Sequence, residues 1–145
     1  WLAAQASEVV VSPSGEVGSI GVFAVHENMA RALAQKGVDV SLISAGKYKT
    51  EGHPFGALDE TARAAIQANV DAHYRAFINA VAAGRGVGAA VVQENFGEGR
   101  MLRAEPALGA GMVDRIESMP ALLARLAAAP GAGGRRRSRF AFAFM

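Results

Sequence analysis

Between Asp59 and Gly84 the apolar residues Ala62, Ile66, Val70, Tyr74, Phe77, Ile78 and Val81 recur at helical spacing, and no other stretch constrains the fold as strongly. Asp59 supplies a side-chain acceptor for the first turn and Gly84 a stop, so one long helix is predicted there. Three strand-like runs precede it. Glu8 to Val11 is short and β-branched, Val17 to Val25 is strand-like but carries Gly18 and Gly21, and Val38 to Ile43 alternates apolar and polar residues. The Ser12-Pro13-Ser14-Gly15 cluster reads as a turn, and Asn28 is placed to cap a helix through Met29, Leu33 and Ala34 to Gly37. The predicted order is β, β, α, β, followed by the long helix.

Beyond Gly84 the elements become short: a helix within Val87 to Val92, a strand over Arg100 to Leu102, a helical turn at Glu105 to Leu108, and a closing strand from Met112 to Ile116. An Ala/Leu-rich helix runs from Met119 to about Ala129, where Pro130-Gly131 breaks it. The expected organisation is a main unit over 1–118, a helical extension over 119–129 and a Gly/Arg-rich, non-core tail over 130–145. Trp1 to Ala6 reads as the last turns of a helix already under way, so the chain is expected to begin inside a domain. With 145 residues and 51% hydrophobic content, one domain with a genuine core is affordable.

Charge narrows the function. The net charge is only +2, and much of the excess sits in Arg135, Arg136, Arg137 and Arg139, so no chain-wide field exists to hold nucleic acid, and no nucleic-acid partner is expected. Every apolar run is interrupted well short of the ~20 residues that span a bilayer. The absence of cysteine removes thiolate metal sites and a cysteine nucleophile. His26 and His73 stand isolated, no nucleophile elbow of the G-x-S-x-G type occurs, and Gly18 and Gly21 lack the remaining parts of a nucleotide loop. Neither metal nor cofactor is expected.

Lys47 and Lys49 flank Tyr48 in a polar, glycine-bearing segment from Gly46 to Gly56. Composition alone makes both solvated. A lysine acts as a base only where burial or neighbouring charge favours the neutral amine, and Tyr48, Pro54 and Phe55 are the nearby groups able to exclude water.

The succession Gly18-Ser19-Ile20-Gly21-Val22, then Gly46-Lys47-Tyr48-Lys49, then Pro54-Phe55, then Ala80-Val81-Ala82-Ala83-Gly84-Arg85-Gly86, resembles the signal peptide peptidase A family of serine peptidases. Gly97-Glu98-Gly99-Arg100 and Gly109-Ala110-Gly111-Met112-Val113-Asp114-Arg115-Ile116 extend the resemblance to about residue 116, toward phage and prophage members. The resemblance implies an α/β fold, a Clp-protease/crotonase-like spiral of β-β-α units with its N-terminal units outside this chain. It also implies a Ser-Lys dyad, with Lys49 as general base, Tyr48 beside it and Lys47 merely solvated. Gly18, Ser19, Ile20, Gly21 and Val22 would line the groove for an extended peptide.

By the same resemblance the serine and the oxyanion loop fall upstream of Trp1, so the chain alone is expected to be inactive. Ser7, Ser12, Ser14 and Ser19 are not promoted in its place, and none of the three histidines is given a catalytic part. The implied partners are a peptide or protein substrate, either signal peptides or phage scaffold and capsid precursors, and further copies in a homo-oligomer. A cytoplasmic or procapsid-associated location follows. The competing expectation is a non-catalytic assembly or scaffolding protein that keeps a truncated protease fold as a contact surface.

Overall fold

The structure is a computed structural model that describes residues 1–128. The tail over 130–145, with its arginine cluster and Phe/Ala end, lies outside the described residues.

The chain opens with a 3₁₀ turn over Ala3–Gln5, where a longer helical end was expected. Strand β1, Val10–Val11, leads through a turn closed by the Gly15 N–H on the Ser12 carbonyl, 2.8 Å, into β2, Glu16–Gly18. Helix α1, Ala30–Gln35, begins where the Asn28 side chain accepts from the Ala30 N–H and ends at Gly37, whose φ of 70° a residue with a Cβ adopts less readily. Helix α2, Glu60–Arg85, is the predicted long helix. Asp59 Oδ1 accepts from the Ala62 N–H at 2.9 Å, and Gly86 ends the helix in the left-handed region. Then follow α3, Ala89–Asn95, β3, Met101–Arg103, α4, Ala104–Gly109, β4, Arg115–Ile116, and α5, Met119–Ala128. Among the described residues no single helix is long and apolar enough to cross a membrane.

Among the described residues two small sheets form, an α/β arrangement. Strands β1 and β4 pair in parallel, Val10 against Arg115, and β2 and β3 pair antiparallel, Val17 against Leu102. Ile20, Ile78, Val81, Val92, Phe96, Ala104, Ala107, Met112 and Val113 form the core. Phe96 is 1% exposed there. This core gathers on the C-terminal half of α2; toward its N-terminal half Ile66, Val70 and Tyr74 are only half-buried.

One predicted strand does not form, and another forms only at its start. Val38 to Ile43 carries no ladder, and its Ile43 is 98% exposed. The segment from Ser19 to Val25 leaves the sheet because Ser19 turns into the left-handed region, φ 54°, immediately after Gly18, and Phe23 is 85% exposed. A strand exists only as half of a pair, and among the described residues neither run meets a partner.

Gly18 shows why β2 can lie so close to β3. A Cβ at Gly18 would stand 2.3 Å from the Arg100 carbonyl oxygen, at a φ of 142° that side chains avoid. The closing of the fold depends on Asp114. Arg85 Nη1 and Nη2 donate to its two carboxylate oxygens at 2.9 and 2.7 Å, and Arg85 Nε donates to the Gly111 carbonyl. The Val9 N–H donates to Asp114 Oδ2 at 2.7 Å while the Asp114 N–H donates back to the Val9 carbonyl. A second cluster fastens α5: Arg125 donates to both Glu117 oxygens and to Glu8, and Glu8 also accepts from Arg115.

The Arg85 hydrogen bonds, with the Val9 N–H, hold the Asp114 carboxyl down to about 2 from its ordinary 3.8. A depressed carboxylate contributes stability that is complete above 3.8 and disappears as pH falls through about 2. Asp114→Ala should therefore lower unfolding free energy by about 1–3 kcal/mol at neutral pH, toward the lower end because the pair is partly solvated. Urea titrations from neutral to strongly acidic pH should show the variant and the parent converging in that acid window. Gly18→Ala should also destabilise, by about 1–3 kcal/mol, since either the β2–β3 pairing or the backbone at Gly18 must give way. The shift of its urea midpoint against that of Gly21→Ala, where a Cβ meets only Gly99 Cα at 3.5 Å, checks the claim.

Candidate active site

The segment between α1 and α2 is a series of linked turns. The Lys49 N–H bonds the Gly46 carbonyl at 3.2 Å, the Glu51 N–H bonds Tyr48, and the His53 N–H bonds Thr50. No regular element is favoured by so many small and polar residues, and successive turns satisfy the backbone instead. The segment is attached to the rest of the molecule at its far end. The Met29 N–H donates to the Pro54 carbonyl at 2.7 Å, and His26 Nε2 lies 3.0 Å from the His53 carbonyl oxygen, a donor position. Gly52 backs onto Ile66 of α2.

Lys49 is exposed on this segment. Its neighbours Lys47, Tyr48, Thr50 and His53 line a hollow of about 580 Å³ at the start of α2, together with Asp59 and Glu60. Tyr48 is itself exposed, and the cation stacked on it is Lys47, with Nζ 4.8 Å from the ring centroid. The described residues therefore do not close over Lys49, and Tyr48 covers the lysine expected to be solvated. The burial expected from Tyr48, Pro54 and Phe55 is not made within residues 1–128: Pro54 is half-buried and Phe55 exposed.

The glycine-bearing run divides into two parts. Gly18 is occupied by its strand partner, and Ile20 is buried in the core. Ser19 is exposed, its N–H donating to the Arg100 carbonyl and its carbonyl accepting from the Gly21 N–H. Gly21 is exposed, and with Ile20 and Val22 it borders a 270 Å³ hollow that Gln67, Val70, Asp71 and Tyr74 of α2 close on the other side. From Val22 to His26 the chain continues along α2 beside Val70, Ile66 and Leu58, which brings it to the turns that carry Lys49. The close approach suspected at both glycines is thus a protein backbone at Gly18 and open surface at Gly21.

The first residues run along the same helix. Ala4 approaches Gly84 so closely that a Cβ there would lie 2.0 Å from the Ala4 carbonyl oxygen, Gln5 Nε2 donates to the Ala80 carbonyl, and the Trp1 ring stacks on Phe77 at 5.2 Å. Going backward from Gln5 to Trp1 therefore moves from the C-terminal turns of α2 toward its middle, in the direction of the Lys49 turns. Phe77 and Ile66 are separated by about 16 Å of helix.

Two features of the site region lay beyond local sequence reading. His53 Nδ1 accepts the Phe55 N–H at 3.0 Å, so this imidazole shapes the turn that ends the segment. The one available signal was its position two residues before an amide in a turn, the spacing at which polar side chains cap their own backbone. The left-handed Ser19 and Glu98 had no signal, since neither is the glycine expected at such an angle. Among the described residues no group of His, Asp and Glu is placed to hold a metal ion.

Residues 1–132 match peptidase family S49. The chain is 33% identical over 115 residues to capsid assembly protease C of Escherichia phage lambda, which covers 79% of this chain and 26% of that protein. It is 34% identical over 115 residues to the head-tail preconnector protein GP5 of Enterobacteria phage P21, covering 79% of this chain and 23% of that one. The chain thus spans about a quarter of the length of these two relatives. On the match that runs from Trp1 through every element described above, the chain belongs to peptidase family S49.

Proposed function

We propose that this chain is the base-bearing part of a serine-type endopeptidase, with Lys49 as general base and the serine carried by the segment that precedes Trp1. The observation that supports the reading is the placement of residues 1–5 on α2, the helix whose start meets the Lys49 turns: the Trp1 ring stacks on Phe77 and Gln5 donates to the Ala80 carbonyl. The mechanism has two steps. Neutral Lys49 Nζ takes the serine hydroxyl proton as Oγ bonds the scissile carbonyl carbon; the tetrahedral adduct then expels the amine, which takes that proton from Nζ. Water attacks the acyl-enzyme with Nζ again as base, releasing the acid and free serine.

Of the run Gly18 to Val22, Ser19, Gly21 and Val22 supply the substrate side, with the exposed backbone of Gly21 beside the hollow that α2 closes, while Gly18 and Ile20 hold the run to β3 and the core. The full fold is read as a Clp-protease/crotonase-like spiral, in which Val22 to Val25 and Val38 to Ile43 gain strand partners from the upstream units. Those units, or a neighbouring copy in a homo-oligomer, also cover Lys49. Residues 1–118 then form the C-terminal part of the peptidase unit, 119–129 an extension and 130–145 a tail, and the chain by itself is inactive. The substrates are phage scaffold or capsid precursors rather than signal peptides, a choice supported by the names of the two phage relatives.

The exposure of Lys49 favours one other reading, a non-catalytic assembly protein. Casein cleavage by the polypeptide that includes the segment before Trp1 separates the two. Lys49→Ala should lower kcat by about 100- to 10,000-fold while Lys47→Ala leaves it within about twofold. Equal cleavage by parent and Lys49→Ala rejects Lys49 as base, and no cleavage by the parent favours the assembly role.

A further inference from the structure

The hydrogen bonds that tie the Lys49 turns to the rest of the described fold lie at their far end, and an imidazole closes that end. The Met29 N–H on Pro54 and His26 on the His53 carbonyl are the anchors, and between them the His53 side chain accepts the Phe55 N–H through Nδ1 at 3.0 Å. The half-buried ring stacks on Phe55 with centroids 6.1 Å apart, and Gly56 lies close enough that a Cβ there would stand 3.0 Å from His53 Cε1. An acceptor at Nδ1 must be unprotonated, so the geometry specifies the neutral ring with its proton on Nε2. Protonation places a second N–H against the Phe55 N–H, and the turn can no longer close in this form.

We propose that His53 is a positioning residue for Lys49: its neutral Nδ1 locks the turn at Phe55 and thereby holds the Lys49 turns in register with α2, and protonation of His53 releases them. The role rests on the peptidase reading for its catalytic consequence, but the latch itself is a property of the loop. The charged and titratable groups around His53 are Lys47, Tyr48 and Glu51 on the loop, Asp59 and Glu60 on the start of α2, and His26 on the segment before α1. His26 uses Nε2 as donor, a role that survives its own protonation, so the switch resides in His53.

Asparagine separates the acceptor from the titration, because its Oδ1 can accept the same i+2 amide without gaining a proton. The test uses the polypeptide that includes the segment before Trp1, with His53→Asn and His53→Ala. Hydrogen exchange of peptides spanning 46–57 reads the latch directly. In the parent, protection should fall once the His53 ring is protonated, beyond the intrinsic pH effect on exchange. It should hold in His53→Asn and be low throughout in His53→Ala. Peptide cleavage reads the consequence: at neutral pH His53→Ala should lose about tenfold in kcat and His53→Asn less than about twofold. The acid limb of kcat should reflect two protonations in the parent and one, that of the base, in His53→Asn. Exchange that is the same in all three proteins overturns the latch. Exchange that behaves as described with an unaltered acid limb overturns the positioning of the base alone. Full cleavage by Lys49→Ala defeats the dyad reading while leaving the exchange result to stand by itself.

Discussion

The pair between Arg85 and Asp114 is the contact on which the described fold closes. It joins the last turn of α2 to the residue before β4, and the same carboxylate accepts the Val9 N–H beside β1. Three segments far apart in sequence therefore meet at one side chain. A sheet of two strands with two residues each cannot define its own register, so the pairing of β1 with β4 needs an outside reference. Asp114 provides it, since both the side chain and the backbone N–H of one residue engage Val9. The bidentate geometry adds orientation, because a planar guanidinium holds a carboxylate in one plane as a lysine ammonium would not.

Helix α2 orders the site around that fixed end. At its C-terminal turns it receives residues 1–5; near its middle, Tyr74 and Val70 face Ile20 to Val22; at its start, Ile66 and Asp59 meet the turns after α1. A helix of 26 residues is long beside the other elements and stiff, so spacings along it are kept while the surrounding loops vary. That stiffness matters for the proposed base and nucleophile, brought from opposite ends, where an ångström of drift is costly. Burial is uneven along the helix: the core covers its C-terminal half, and the half nearest Lys49 is lined with irregular chain.

What the sequence reveals follows from how local each determinant is. The long helix, its Asp59 cap and the short elements from α3 to α5 are legible because caps, stops and 3.6-residue spacing act within a few residues. The strand-like patterns at Val22 to Val25 and Val38 to Ile43 are equally clear as patterns, yet no ladder forms there. Alternation records which side chains want cover, whereas a strand needs a partner that the pattern does not contain. Gly18 is legible as a place of close approach but not as the contact with Arg100, and the Arg85–Asp114 pair joins residues that no local rule connects. Within the site, sequence reading locates the Lys49 segment and the glycine-bearing run, and both border α2. It does not supply their cover, nor the acceptor role of His53, which depends on a rotamer and a tautomer.

On the proposal that Lys49 is the base, its exposure decides what else an active assembly must contain. A lysine base works only as the neutral amine, and desolvation or neighbouring positive charge is what favours that form. Cover is not supplied at Lys49 within residues 1–128: Tyr48 is turned to Lys47, Lys47 itself is exposed, and the hollow beside them is bordered by Glu51, Asp59 and Glu60. Desolvation must then come from chain outside these residues. The same outside chain has a second reason to bind, because Phe23, Val25, Val40, Leu42 and Ile43 present apolar side chains next to unpaired backbone. If strand pairing there and burial of Lys49 are one event, the proposed base gains its cover only as the sheet is completed, and on that proposal proteolysis is coupled to folding of the whole unit.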